Sequence, residues 1–368
     1  MKLIVLNNNL KEGLNAVSRA VAENANLPVL KNILIRTFNN KIRFSATNLE
    51  IAVTYCVSGK IIEEGGVTVP FSVLNGIVNN CDSERVSLET DGNALNFKTD
   101  NYEAKIQGLG EDEFPIIPKI ENSARYITID AVLFKTYVLK VANAIQISEI
   151  RPEISGILLD FQLTQFKLAG TDSFRLAEKT VNEKDFKSNF EQGFKIIIPI
   201  KTIQEVVRSL KEGELAMYID PNQTLFKNGD LEIISRLIDG TYPDYEQIIP
   251  KEFGTEMVIN RESCLNAVKL VSNLTGKVND IKVKTKENGK AIEVYSNNQF
   301  VGENKYLIPA KTKGDPFEIA FNWRYLMDGL KNFETEDVTV GVNGEMRPAL
   351  IKNPADNSYF YLIMPLKF

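Results

Sequence analysis

The chain has 368 residues, 43% of them apolar and 25% charged, with 43 Lys and Arg against 48 Asp and Glu for a net charge of −5 and no histidine. That is an ordinary globular composition, and the missing imidazole excludes Ser-His-Asp and Cys-His catalysis and His-ligated metal sites. At roughly 150 residues per domain the length sets an expectation of two or three domains.

In chain order, the alternating run Leu3-Ile-Val-Leu6 predicts a strand, followed by a helix with Leu10, Leu14 and Val17 on one face. A single Lys and a short apolar run do not make a signal peptide, so the protein is expected in the cytoplasm. Thr47-Asn48 marks a turn. Val67-Thr-Val-Pro-Phe71 predicts a further strand, and Leu74 and Val78 a second helix. Val86-Ser-Leu-Glu89 and Leu95-Asn-Phe-Lys98 alternate as half-buried strands around the turn Asp91-Gly92. Glu113-Phe-Pro-Ile-Ile-Pro118 is expected to cross as extended, strand-like chain, because each Pro biases its predecessor away from helix. A polar linker, Lys119 to Ala124, follows.

The same order then returns. Tyr126-Ile-Thr-Ile129 precedes Leu133, Val138 and Val141. Phe166-Lys-Leu-Ala169 runs into the turn Thr171-Asp172, and Ile196-Ile-Ile-Pro-Ile200 precedes Ile203 and Val207. After the turn Asn228-Gly229, Tyr242-Pro-Asp-Tyr-Glu-Gln-Ile-Ile-Pro250 is a second extended crossing, with Lys251 to Thr255 as linker. In the last third Met257-Val-Ile259 precedes Cys264, Val268 and Val271. Ile292-Glu-Val-Tyr295 leads to a looser turn at Ser296-Asn297. Phe317-Glu-Ile-Ala-Phe321 precedes Tyr325 and Leu330, then come Val338-Thr-Val-Gly341 and a final strand from Tyr359 with an apolar tail. The turns recur after 124 (171 − 47) and 125 (296 − 171) positions, and the prolines after 129 (199 − 70). One domain-sized unit therefore occurs three times. The fold class is α+β: three tandem similar domains, 1–120, 121–252 and 253–368, each an antiparallel sheet with two helices.

The chain contains no glycine-rich phosphate loop, no GxGxxG and no Gly-x-Ser-x-Gly elbow. Cys56, Cys81 and Cys264 are scattered and odd in number, so they read as small apolar residues rather than as disulfides or zinc ligands. The acidic runs Glu63-Glu64 and Glu111-Asp112-Glu113 read as solvated loops. No stretch approaches the ~20 apolar residues of a membrane span. No catalytic residue, metal or cofactor is expected.

Asn26-Leu-Pro-Val-Leu30, Thr171-Asp-Ser-Phe-Arg-Leu176, Asp239-Gly-Thr-Tyr-Pro-Asp-Tyr245, Phe321-Asn322 with Tyr325, and Met364-Pro365 stand out along the whole chain. With the order of elements, they resemble the bacterial beta sliding clamp family, the processivity subunit of the replicative DNA polymerase. The resemblance implies a head-to-tail homodimeric ring around duplex DNA, helices inside and sheets outside. Six similar units can close such a ring. It implies a protein that works by topology, with weak phosphate contacts and no base readout. An acidic chain that does this must segregate its charge.

The partners implied are double-stranded DNA without sequence preference, the DNA polymerase III alpha subunit, the clamp loader delta subunit, other proteins with a clamp-binding motif, and a second copy of the chain. No membrane is implied. The implied DNA contacts are Asn24, Ser148, Arg151, Lys201 and Arg208. Asn24, Ser72-Val73 and Ile200 stand where the family is more basic. The implied pocket, for peptides that often carry a Gln before Leu or Phe anchors, comprises Ile154, Thr171, Ser173, Arg175, Leu176, Pro243, Gln247, Ile248, Asn322, Tyr325, Pro348, Leu362, Met364, Pro365 and Leu366. Arg175 and Asn322 are expected to hold the peptide backbone, the tail from Met364 to Phe368 to supply a floor and backbone partners, and Phe174, at a position where His is common, to narrow the slot. The implied dimer contact sets Ala104 and Ile106 on an edge strand against Leu270 and Val271 on a helix. Taken without the resemblance, the residues also allow a structural repeat protein that does not bind DNA, or an enzyme working through carboxylates.

Overall fold

Alternation and turn chemistry set the local structure throughout. The computed structural model describes residues 1–22, 27–121, 124–286 and 289–367, so Asn24, Asn26 and Phe368 lie outside the described residues. Among these are six α-helices: α1 (Asn7–Val17), α2 (Phe71–Asn80), α3 (Ala131–Ala142), α4 (Ile200–Ser209), α5 (Arg261–Val271) and α6 (Trp323–Lys331). Each follows a strand directly, two to each third of the chain. The predicted helix faces point inward: Leu10, Leu14, Val17, Leu74, Val78, Val138, Val141, Ile203, Val268, Val271 and Leu330 are all buried, with Val207 and Cys264 almost fully so. Leu133 is the exception, exposed while Phe134 is buried. Phe134, Val138 and Val141 are spaced four and three apart and form the inward stripe, which leaves Leu133 outside it.

Residue contacts divide the chain into two units. The first comprises Met1–Lys135, Asp185–Glu191 and Lys201–Leu237. It holds a five-stranded sheet and a nine-stranded sheet. In the nine-stranded sheet, Leu231–Arg236 pairs antiparallel with Ile51–Val57, in register from Leu231 with Tyr55 to Ser235 with Ile51. One sheet thus runs unbroken across two sequence repeats. The seam carries the ion pairs Lys41–Asp230 at 2.5 Å and Arg43–Glu232 at 3.0 Å. Gly13 lets α1 press onto the strand Lys41–Thr47: a Cβ there would lie 2.6 Å from Phe44 Cδ2.

The second unit comprises Thr136–Lys184, Gln192–Ile200 and Ile238–Phe368 and holds a twelve-stranded sheet. Its seam pairs Arg175–Asn182 with Tyr359–Ile363, from Arg175 with Ile363 to Lys179 with Tyr359. Behind it Leu158, Ala169, Leu176, Ile197, Tyr242, Tyr245, Leu350 and Leu362 form one buried cluster. No helix among the described residues is long and apolar enough to cross a membrane.

Two local expectations change. The crossings are not strands. The first follows a 3-10 turn at Glu111–Glu113, and its prolines, lacking an N–H, join no ladder. The second coils into a 3-10 helix, Tyr245–Ile248, whose first N–H donates to Pro243 O at 2.8 Å. The third-repeat turn is also displaced. Ser296-Asn297 lies inside the strand Ala291–Asn298, and Asn298 makes the turn. Asn48 Oδ1 accepts from the N–H of Glu50 and Ile51, Asp172 Oδ1 from Phe174 and Arg175, and Asn298 Oδ1 from Phe300 and Val301. The repeat thus preserves a side-chain acceptor serving the N–H groups two and three residues on.

Candidate functional site

The second unit gathers the expected pocket residues at one end of its seam, and the Thr171–Arg175 turn begins the construction. Thr171 Oγ1 donates to Arg175 O at 2.6 Å and accepts from the Ser173 N–H at 3.1 Å. Ser173 sits at φ +76°, a left-handed conformation that non-glycine residues take only when surroundings hold them there. Asp172 supplies the hold, accepting two N–H groups through Oδ1 and Arg175 Nε through Oδ2 at 2.8 Å. The turn leaves Ser173 and Phe174 exposed.

The adjoining strand ends lie beside it. Arg175 pairs with Ile363, and Ile363 with Ala349, so Pro348, Met364 and Phe174 fall at one end of three neighbouring strands. The tail is stitched on both sides. Met364 N–H donates to Phe174 O and Leu366 N–H to Ala320 O, both at 2.8 Å. Those two donors are therefore taken. The tail braces the turn and the strand Glu318–Asn322 rather than offering these N–H groups to a peptide. Pro348, Met364, Pro365 and Leu366 remain half-exposed.

α6 forms another wall. Asn322 caps it, its Oδ1 accepting from the Arg324 N–H at 3.0 Å. Tyr361 Oη donates to Tyr325 O at 2.9 Å. Gly329 permits that approach, since a Cβ there would lie 2.4 Å from Tyr361 Cδ1. Tyr325 is half-buried, with the Arg175 guanidinium 4.3 Å from its ring centroid. The turn Pro152–Ile154 buries Ile154, while across the second crossing Pro243 is half-buried and Gln247 and Ile248 are exposed. Gln247 Nε2 donates to Asp244 Oδ2 at 2.7 Å.

The fifteen expected residues do not share one role. Leu176 and Leu362 face each other in the buried cluster, so they underlie the site rather than line it. Arg175 is not free for a peptide backbone: its Nη1 donates to Asp328 Oδ2 at 2.7 Å and its Nε to Asp172. Burial opposes its charge, but the Tyr361 oxygen, Asp328 and Asp172 more than offset it and hold its pKa above the ordinary value. Asn322 keeps its Nδ2, which donates to no described residue, so it is the better placed of the two polar groups. Asp172 and Asp328 were missed as site residues. Each stands three positions from a residue already singled out, Arg175 or Tyr325, and the second spacing is a helix-face neighbour.

Near the crossing, an open cavity of about 640 Å³ is lined by Lys167, Glu178, Asp244, Glu246, Gln247, Ile249 and Lys251. Of the expected site it takes in Gln247 alone.

The other expected surfaces are scattered. Arg151 is exposed; its Nη1 donates to Ser173 Oγ at 3.0 Å and its Nε to Glu153 at 3.1 Å, while Ser148 Oγ accepts its backbone N–H. Lys201 and Arg208 are exposed on one face of α4, seven positions apart. Arg208 and Arg19 each lie 3.8 Å from buried Glu205, which places Arg19 beside them. Ile200 is buried, so it is not a solvent-facing position that has lost a basic side chain.

Of the expected dimer residues, Ile106 and Val271 are buried within their own units, Ala104 is half-buried and Leu270 is 54% exposed. Ile106 points into its own sheet, so its strand Glu103–Gln107 offers an open backbone edge, being the last of the five-stranded sheet. In the second unit, residues 302–307 of the long strand Gly302–Gly314 pair with Ala291–Asn298 on one side only among the described residues. Asn304 Nδ2 ties that edge to Leu270 O at 3.2 Å.

Comparison with known proteins matches this architecture along its whole length. Family models for the N-terminal, central and C-terminal domains of the DNA polymerase III beta subunit match residues 1–118, 128–244 and 246–367. The beta sliding clamp of Synechococcus elongatus is 28% identical, over all of this chain and 99% of its own length. That of Bacillus subtilis is 27% identical over the full length of both. The crystal structure of the DNA polymerase sliding clamp from Bacillus subtilis superposes with a TM-score of 0.95 at 27% identity, covering all of this chain and 99% of its own. One family's three domains follow in order from end to end, and the chain belongs to the DNA polymerase III beta subunit family, the beta sliding clamps.

Proposed function

We propose that this chain acts as a DNA sliding clamp: two copies close head to tail around duplex DNA and hold a polymerase and other partners through the strand-end site of the second unit. The observation that carries this reading is the succession of three clamp domains on one chain, together with apolar and half-exposed side chains gathered at one strand end. Domains of 1–120, 121–252 and 253–368 fit it.

At the site, Pro243, Ile248, Tyr325, Pro348, Met364, Pro365 and Leu366 receive the apolar anchors of a short extended peptide. The thioether of Met364 adapts to different partners. Asn322 Nδ2 is the polar group that orients it. The partner peptides come from the DNA polymerase III alpha subunit, the clamp loader delta subunit and other proteins with the same type of motif. The copies join by pairing two open edges, Glu103–Gln107 of one with residues 302–307 of the other, while exposed Leu270 is covered beside them. Pairing removes two edges that would otherwise invite aggregation.

DNA contact is electrostatic and weak. Lys201, Arg208, Arg151 and Arg19 are the cations for phosphates, and α2 carries no charge at all. Binding to linear duplex should be indifferent to sequence and fall steeply with salt. The test is retention on circular DNA and release when that DNA is cut. Lys201→Ala with Arg208→Ala should lower retention severalfold and leave the fold unchanged, because Arg19 and Ser209 still serve Glu205. Tight, sequence-selective binding to a short duplex would overturn the reading.

A further inference from the structure

Arg175, Asp172, Asp328 and Tyr325 form one connected group in the second unit. Arg175 Nε donates to Asp172 Oδ2 at 2.8 Å and Nη1 to Asp328 Oδ2 at 2.7 Å. The side chains of Arg175 and Asp172 are 10% and 2% exposed, that of Asp328 39%. The planar guanidinium, fixed at two nitrogens, lies 4.3 Å from the centroid of the Tyr325 ring. A fork clamped by two carboxylates cannot rotate freely, so the plane stacked on it is set as well. Asp172 belongs to the turn, which its Oδ1 also builds. Asp328 belongs to α6, the helix that carries Tyr325. The only route by which Asp328 reaches the other side of that ring is through Arg175.

We propose that Asp328 is a positioning residue of the peptide site: acting through Arg175, it fixes the ring plane of Tyr325 and so shapes the subsite for the ligand's aromatic anchor. The inference rests on the peptide-site reading. It has a consequence for selectivity. One face of Tyr325 is already occupied by a cation, so the ligand meets the other face or the edge. That arrangement suits a neutral aromatic ring, which pairs offset or edge-on, and disfavours a second cation.

The experiment titrates two labelled peptides, a Gln-x-x-Leu-Phe type and the same peptide with its Phe replaced by Ala, against the full chain. The proteins are wild type, Asp328→Ala, Asp328→Asn, Tyr325→Ala and the double variant Asp328→Ala with Tyr325→Ala. Asp328→Ala should weaken the Phe peptide about fivefold and the Ala peptide less than about twofold, as residues acting through a shared partner couple. Asp328→Asn, which keeps an acceptor for Arg175, should recover much of that loss. In the double variant the effect of Asp328→Ala should vanish. Equal losses for both peptides, with a lower melting temperature, would mark a plain structural bridge and overturn the proposal. So would wild-type binding that ignores Asp328→Ala. A wild-type chain that binds neither peptide overturns the site reading itself, and the proposal with it.

Discussion

Glu178 illustrates how a single buried charge sets a pH response. Burial pushes its carboxyl above the ordinary 4.5, while the hydrogen bond from Tyr245 and the nearby Lys167 work the other way. Tyr245 Oη donates to Glu178 Oε2 at 2.6 Å, so the group is held but still poorly solvated. An acid that ionises less readily in the folded chain than in the unfolded one favours the fold below its unfolded pKa. That contribution is lost as pH rises through the folded pKa. Stability should therefore decline from about pH 4.5 upward on account of this residue. Glu178→Gln keeps an acceptor for Tyr245 and removes the charge. Its denaturation midpoint should vary less between pH 4.5 and neutrality than that of the wild type. Parallel midpoint curves for the two proteins would contradict the assignment.

At the scale of elements, the Thr171–Arg175 turn does several jobs through Asp172. Its carboxylate satisfies two backbone N–H groups and one end of the Arg175 fork. Asp172→Ala leaves those donors unmet and a buried guanidinium half-paired, a loss of about 3–5 kcal/mol by analogy with broken buried pairs. The expected outcome is a clearly lowered midpoint in denaturant together with weakened peptide binding. An unchanged midpoint would mean that water replaces the carboxylate without cost.

The tail is the second element with a dual role. Removing Met364 to Phe368 takes away half-exposed apolar side chains and also the hydrogen bonds to Phe174 O and Ala320 O. Peptide affinity should fall at least tenfold, because a few anchors carry most of the energy in such sites. The two parts of that loss separate on Met364→Ala, which spares both backbone bonds and should give the smaller deficit. Equal affinity in the truncated and intact chains would place the site elsewhere.

For the whole molecule, the open edges at Glu103–Gln107 and at residues 302–307 decide assembly, with Leu270 as the exposed apolar side chain beside the second. Burying a leucine on association is worth roughly 1.5–3 kcal/mol, and an unpaired charge in its place costs more. Leu270→Asp is therefore expected to shift the chain from dimer to monomer when sized across a dilution series. Its melting temperature should change little, since the residue is 54% exposed in the single chain. A dimer that persists at the same dilution would remove Leu270 from the interface.

Much of this was legible in the chain itself, because period-two and helical alternation act locally. Leu3 to Leu6, Leu10, Leu14 and Val17 suffice for a strand, a helix and its inward face. Three rounds of that pattern give the repeat, and the absence of histidine narrows the chemistry before any fold is known. What the chain could not give are properties of pairs brought together across more than a hundred positions. Arg175 looks like a free donor until Asp328 and Tyr325 arrive from the third repeat. Met364 and Leu366 look like open backbone until Phe174 and Ala320 occupy their N–H groups. Ile106 and Val271 look like surface contacts until their own units bury them. Asn298 rather than Asn297 closes the third turn because the long hairpin holds its strand through one more residue, a register that only pairing with Gly302 settles. Local pattern fixes which face a residue takes; which neighbour meets it there depends on long-range pairing, and that is decided only in the tertiary structure.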